Sequence, residues 1–515
     1  MKKARSRYID YWMKFSRQNK ENWLAVQAEF DQINRAWEFL SLETGQGESI
    51  PDQSEKMVEF VGLLQGYLEY QGVWDKGYIP WLESALLAAR RLGNSGYEFS
   101  LLNSLGAGYT DMGLTEKAEN HLAQALKIAQ STGDMDSQIA ILNNLGVLDY
   151  QTGRRQDALQ KLEEGYSILQ RLGKHPNAGH ILNNLGSTFQ SLGNPRRAAE
   201  CFVQALEVYK NNQDVSVGSA SFHNLGTLLA ETGEWGLAID YLQQALALRK
   251  GIGDRARMAV THANLGRVQA RIGKFIQAVD SLNGALDIQR EILDLPAAAD
   301  TLNSLGNLYR QLQKWEISAQ YLNESIRLQS QVGNIAGKAE ALNNLGLVHR
   351  ANEQNDAALR CYEDALLLHR STGNISGEAS TLNNIGVVYR IRKEYKRALD
   401  IYERVLEIRR TVRDTSGEAI TLNNIGRIHR LEEDPELAME YYKRALALLQ
   451  QIQDEVNEAA VLSNIAMLHL EAQRWSEAEA VLQSAVKIDQ EFGLPSLEED
   501  IQALDWARNR GGQGQ

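Results

Sequence analysis

Apolar residues recur along most of the chain at intervals of three and four. Around residue 386, Leu382, Ile385, Gly386 and Tyr389 stand at i, i+3, i+4 and i+7, the spacing of one helix face. After a short break, Ala398, Tyr402, Val405 and Leu406 again share a face, so a helix A followed by a helix B is predicted. The pair is reiterated. Leu-Asn-Asn-Leu-Gly occurs at 142–146, 182–186 and 342–346, and glycine recurs every 40 residues from Gly66 to Gly426, with Ala466 closing the series. This period divides the chain into an N-terminal helical cap (1–58), eleven repeats of 40 residues (59–498), and a C-terminal capping helix with a flexible tail (499–515). The first repeat is degenerate, keeping Leu82 and Ala85 but carrying Tyr78 where the others carry a small residue.

Small residues recur where the two helices would cross: Ala118, Ala158, Ala198, Ala238, Ala278, Ala358, Ala398, Ala438 and Ala478, with Ser318 the exception. Helix B often ends in Gly followed by Asp or Asn, as in Gly133-Asp134 and Gly373-Asn374, a left-handed terminus followed by a cap for the next helix. A small residue twelve after the glycine, a large apolar one at sixteen and another small or apolar one at nineteen resemble the tetratricopeptide repeat. Gly386, Tyr389, Ala398, Tyr402 and Val405 carry the pattern in one repeat, and Gly106, Tyr109, Ala118, Leu122 and Ala125 in another. The 40-residue length is similar to the longer-helix versions in kinesin light chains, Pins-type adaptors and bacterial regulators. The resemblance implies an all-α, right-handed α-α superhelix (TPR solenoid), with A helices lining a concave groove. No pair buries its apolar face alone, so stacked neighbours must do so, and an extended surface results.

On a helical wheel with the glycine at zero, the residues two and three before it, and those one, four and five after, fall opposite the core side. Two before it stand Asn144, Asn184, Asn224, Asn264, Asn344, Asn384, Asn424 and Asn464; three before it, Asn303, Asn343, Asn383 and Asn423 among others. Mid-helix Asn costs several tenths of a kcal/mol, roughly, relative to Ala, so some interaction must offset it. Two uses compete: pairing with the main chain of an extended peptide, as in the asparagine ladders of peptide-binding tetratricopeptide superhelices, and bonding between neighbouring helices. Four after the glycine lie Arg310, Arg350, Arg390 and Arg430, with Arg267 and Arg427 on the same arc. Such a stripe suits an acidic or C-terminal carboxylate ligand; the competing reading is a solvated arginine at a helix C-terminus.

Composition narrows the function. Lys plus Arg is 54 and Asp plus Glu is 66, a net charge of −12, which disfavours nucleic acid and anionic membranes as general partners. Length alone would suggest several domains, but the constant phase makes one array of it. Only 7 prolines occur, in keeping with uninterrupted helices. The two cysteines, Cys201 and Cys361, are too few for a disulfide framework or a thiolate zinc site. There is no secretory signal, no membrane-spanning run, no P-loop, no His-Glu-x-x-His and no Gly-x-Ser-x-Gly. A cytoplasmic, non-enzymatic protein without cofactor or metal is expected. His349, His429 and His469 occupy the aromatic core position of their repeats and are expected to pack there.

Residues 7–42 are predicted to form two helices whose aromatics, including Trp12, Phe30 and Trp37, cap the first repeat, with 43–56 a polar loop. The run from Trp23 to Trp37 also resembles the segment that opens the sensor region of bacterial signal-transducing ATPases with numerous domains. The function expected is an adaptor or scaffold that binds an extended, acidic protein or peptide segment in the concave groove. A ligand-responsive sensor of a bacterial signalling or defence system, acting with a separate effector, is the alternative. A self-assembling structural scaffold is a third.

Overall fold

The computed structural model describes residues 2–19, 23–44, 51–71, 78–173, 177–494 and 496–511. These form 26 α-helices in two compact units, Met1–Arg255 and Ala256–Gln515. Each unit is a solenoid of antiparallel helical pairs packed in sequence order.

Repeat nine shows how the sequence builds a pair. Its A helix, Ile375–Ile391, begins at Asn374, whose side chain accepts the Gly377 N–H at 2.9 Å. Asp134, Asp214, Asp294, Asn334, Asp414 and Asp454 cap their own A helices in the same way. A three-residue turn through Lys393 (φ 62°) then leads into helix B, Tyr395–Thr411. Ala398 is fully buried at the crossing, and a Cβ added at Gly386 would lie 2.6 Å from the Tyr402 ring, so the glycine permits the close approach of A to B. Ser318, the exception among the small residues, is buried too: its hydroxyl donates to the Gly306 carbonyl at 2.6 Å. Ser325, two turns further on, donates to the Ala299 carbonyl at 2.7 Å. Both polar groups are therefore satisfied in the core.

Within each unit successive A helices touch one another more closely than successive B helices do, which makes the A side the inner side of the stack. This puts the arc opposite the core on a shared inner face.

The ends differ in detail from expectation. The N-terminal segment has three helices before residue 45, Lys2–Gln18, Trp23–Ala28 and Phe30–Thr44, rather than two. Part of the expected loop is helical, since Pro51 opens a helix that runs to Gln71; residues 45–50 lie outside the described residues. The aromatics do join this segment to the first repeat: Trp37 and Trp81 stack at 4.9 Å, with Phe60 and Phe30 against the same indole. At the other end Leu497–Gly511 covers repeat eleven through Leu504 and Ala507, whereas Ile501 is exposed. The expected flexible tail, beyond residue 511, lies outside the described residues.

Candidate peptide-binding face

The asparagine rows form a ladder between repeats. Asn144 donates its amide N–H to the Asn103 Oδ1 of the preceding repeat at 2.7 Å, and Asn184 donates to Asn143 at 2.8 Å. In the second unit the same bond links Asn344 to Asn303, Asn384 to Asn343, Asn424 to Asn383 and Asn464 to Asn423, at 2.9 to 3.0 Å. The physical cause is geometric. One Asn of each pair projects toward the preceding A helix and the other toward the following one, and an amide supplies both donor and acceptor. This stacking use offsets the poor helical propensity of Asn, and Asn344 and Asn424 are buried by it. The ladder lapses where its partners change: Asn183 turns to the Val217 carbonyl, Asn264 takes a guanidinium N–H from Arg267, and Ala263 and Ser304 have no amides to pair. Asn224 lies half-buried in this interrupted stretch.

The arginines meet a different environment. Elsewhere in the same unit arginines at helix ends pair with carboxylates: Arg290 with Glu324 at 2.7 Å, Arg370 with Glu378 at 2.8 Å, Arg410 with Glu418 at 2.6 Å. On the A face Arg430 meets Glu471 at 3.0 Å. Arg310, Arg350, Arg390 and Arg427 have no carboxylate within 4.0 Å among the described residues. All four are half-buried, and the Nε of Arg390 is enclosed without a partner. Burial lowers the pKa of Arg310 and Arg427, and the positive neighbours Arg350 and Arg390 lower them further. A guanidinium stays charged under such shifts, so the face holds concentrated, poorly neutralised positive charge. Arg267 differs in its neighbours: much of its side chain is exposed, yet burial of the remainder lowers its pKa as at Arg310 and Arg427, and Asp300 nearby pulls it back up.

Beneath the arginines lie Tyr362, Tyr402 and Tyr442, fully buried with hydroxyls that find no well-formed partner. Burial pushes each phenol up to about 12, while the arginines of its own and adjacent repeats pull the other way. Tyr362 feels Arg350 and Arg310, Tyr402 feels Arg390, Arg427 and Arg350, and Tyr442 feels Arg430, Arg427 and Arg390. The three tyrosines thus join the arginines into one continuous row. They lie next to the arginine row although the helical pattern reads them only as core. The signal for them is pairing within the repeat, because sixteen after the glycine Tyr stands in the repeats of Arg350, Arg390 and Arg430, while Leu122, Leu162, Phe202, Leu242 and Leu282 stand where no Arg does. Arg310, over Leu322, is the one mismatch.

Other candidates give no chemistry. Cys201 and Cys361 are half-buried free thiols pushed up to about 11 by burial, far from the thiolate form. His349, His429 and His469 are half-buried rather than in the core; His429 stacks on Tyr441 at 5.4 Å, and His349 bonds to Gln354. Among the described residues no group of three or more His, Cys, Asp or Glu is placed to hold a metal ion. No helix among them is long and apolar enough to cross a membrane.

The segment 61–149 matches the model for anaphase-promoting complex subunit 5. Among curated proteins none matches the chain. Solved structures share the fold. One is a signal transduction ATPase with numerous domains (STAND) with a tetratricopeptide repeat sensor from Pyrococcus horikoshii, 13% identical with a TM-score of 0.57. That match covers 73% of this chain and 56% of the archaeal one, so the chain spans little more than half of that relative. Another is the apo form of RapI, 11% identical with a TM-score of 0.57, covering 69% of this chain and 98% of that one. The tetratricopeptide repeat model itself matches 137–211 and then overlapping pairs of repeats from 219 to 491. With most of the chain matched and the helical pairs stacked as described, the chain belongs to the tetratricopeptide repeat family.

Proposed function

We propose that the chain is a non-enzymatic adaptor whose second unit holds an extended acidic segment of a partner protein on its A-helix face. The observation that carries this reading is the set of four half-buried arginines without a carboxylate partner among the described residues, in a chain of net charge −12. A merely solvated arginine would extend into water, and in an acidic protein it would find a carboxylate, as Arg370 and Arg410 do. The asparagine ladder fixes the spacing of the A helices, and its unused amide atoms, such as the Oδ1 of Asn384 and the Nδ2 of Asn383, are the ones left for a peptide main chain.

The test is a fluorescein-labelled, glutamate-containing peptide titrated against the wild-type chain and the Arg350→Gln/Arg390→Gln variant. Loss of two charge-assisted contacts should weaken binding by at least about tenfold. Unchanged affinity in a variant of unchanged helicity removes the reading. A second reading, a sensor that acts with a separate effector, is favoured by the likeness to the STAND sensor structure. It expects the scattering dimensions of the chain to change when the peptide binds, whereas a plain adaptor keeps them.

A further inference from the structure

Each arginine of the row belongs to a successive repeat, so the distance between them is the distance between successive A helices. Direct amide bonds of 2.9 to 3.0 Å tie those helices together at Asn344, Asn384 and Asn424. Two short Asn side chains and one hydrogen bond place the axes about 10 Å apart, the upper end of ordinary helix packing. A polypeptide that matches this step has few conformations. In a β-strand, side chains on one face recur at about 6.6 Å or 13 Å, which misses it. A polyproline II segment has three residues per turn and rises about 3.1 Å per residue, so every third side chain lies on one face at about 9.3 Å.

Resting on the proposed peptide-binding reading, we infer that the row recognises register: it takes a polyproline II segment with an acidic side chain at every third residue, one each for Arg310, Arg350 and Arg390. Arg430, held by Glu471, closes the row at one end. Arg427 reinforces the Arg390 position from the next repeat, being its electrostatic neighbour. Arg310, Arg350 and Arg390 are each half-buried, which restricts where their guanidinium groups can lie, whereas a fully solvated set of long side chains would accept any acidic spacing. Lys in place of Arg would lose the fork that fixes a carboxylate in place.

The experiment compares peptides of one composition, each with three glutamates, on the full chain by fluorescence anisotropy. Glutamates are placed contiguously, at every second, every third or every seventh position, the last matching a helical occupant. Oligothymidylate serves as a fifth probe. The every-third peptide is expected to bind at least about tenfold more tightly than the others. In a cycle of Arg350→Gln against Glu→Gln at the central glutamate, the two losses should be strongly non-additive, while cycles against the outer glutamates should be additive. Equal affinity for all spacings overturns the register and leaves the peptide-binding reading standing. Tightest binding of the every-seventh peptide overturns the extended occupant, and preferential binding of oligothymidylate overturns a peptide altogether. No binding by any acidic peptide removes both the inference and the reading beneath it.

Discussion

His369 is buried where the B helix of repeat eight ends against Gly377 of the next A helix, and its Nδ1 has no partner. Burial lowers its pKa, although Glu340 and Glu378 nearby pull it up. The unfolded chain therefore takes up a proton at higher pH than the folded one does. The stabilising contribution is complete above the unfolded value of about 6.5 and is lost as pH falls through the folded pKa. His262 and His469, also lowered by burial, act in the same direction. Gln289 and Gln329 fill the equivalent slot in repeats six and seven, so His369→Gln should fit without strain. Thermal melts between pH 7.5 and 5 should show a smaller fall in Tm for this variant than for the wild type. An identical slope would mean that His369 takes up its proton at the same pH in the folded chain as in the unfolded one, so that its burial carries no cost on protonation. The arginine row shows what is legible at this scale. Arg350 and Arg390 are visible in the sequence because their repeat position breaks with the earlier repeats. Their freedom from carboxylates is not, because Arg430 has the same position and is paired. Tyr402 was hidden for a simpler reason: a phenol satisfies a hydrophobic pattern, and its hydroxyl matters only once a neighbour is known.

Between helices the asparagine ladder decides how the pairs stack. Periodicity placed both Asn rows on the inner arc but left their use open, since an amide that faces a peptide and one that faces the next helix share the same wheel position. The bond from Asn424 to Asn383 at 3.0 Å settles where one donor and one acceptor go. A single Asn→Ala change is a poor probe of it, because Ala gains about 0.6 kcal/mol in helix propensity while the lost hydrogen bond costs about 0.5–1.5 kcal/mol. The two nearly cancel. A double-mutant cycle with Asn383→Ala and Asn424→Ala removes the propensity terms, and urea unfolding should return a coupling of about 1 kcal/mol. The pair Ala263 and Ser304, at the same two positions in repeats six and seven, serves as the internal control: substitutions there should be additive. Additivity at Asn383 and Asn424 would reduce the ladder to a geometric coincidence. Where sequence reasoning missed helix boundaries, at Pro51 and in the split before Phe30, the constant phase of the repeats was lacking and only local signals remained.

For the whole molecule, an unbroken period of 40 carries more information than any single helix signal, since each repeat can bury its apolar face only against the next. Charge at this scale is less uniform than composition suggests. The chain carries −12 overall, yet Arg310, Arg350, Arg390 and Arg427 on the A face of repeats seven to ten have no carboxylate within 4.0 Å among the described residues. An acidic peptide approaching from a distance meets the net negative field and only at contact meets the arginines. Salt separates the two effects, because the screening length shrinks from about 30 Å at 0.01 M to about 10 Å at 0.1 M. Long-range repulsion is screened first, and the half-buried contacts are screened least. For the every-third glutamate peptide, stopped-flow association should therefore start below the unsteered range of about 10⁵–10⁶ M⁻¹s⁻¹ and rise over this interval. Dissociation should quicken over the same interval, more gently than for an exposed ion pair. An association rate that falls steeply with salt would mean that the arginine row projects its field well beyond the surface and steers the ligand in. In that case the net charge would be irrelevant to encounter, and the acidic residues would have to be clustered away from the approach path.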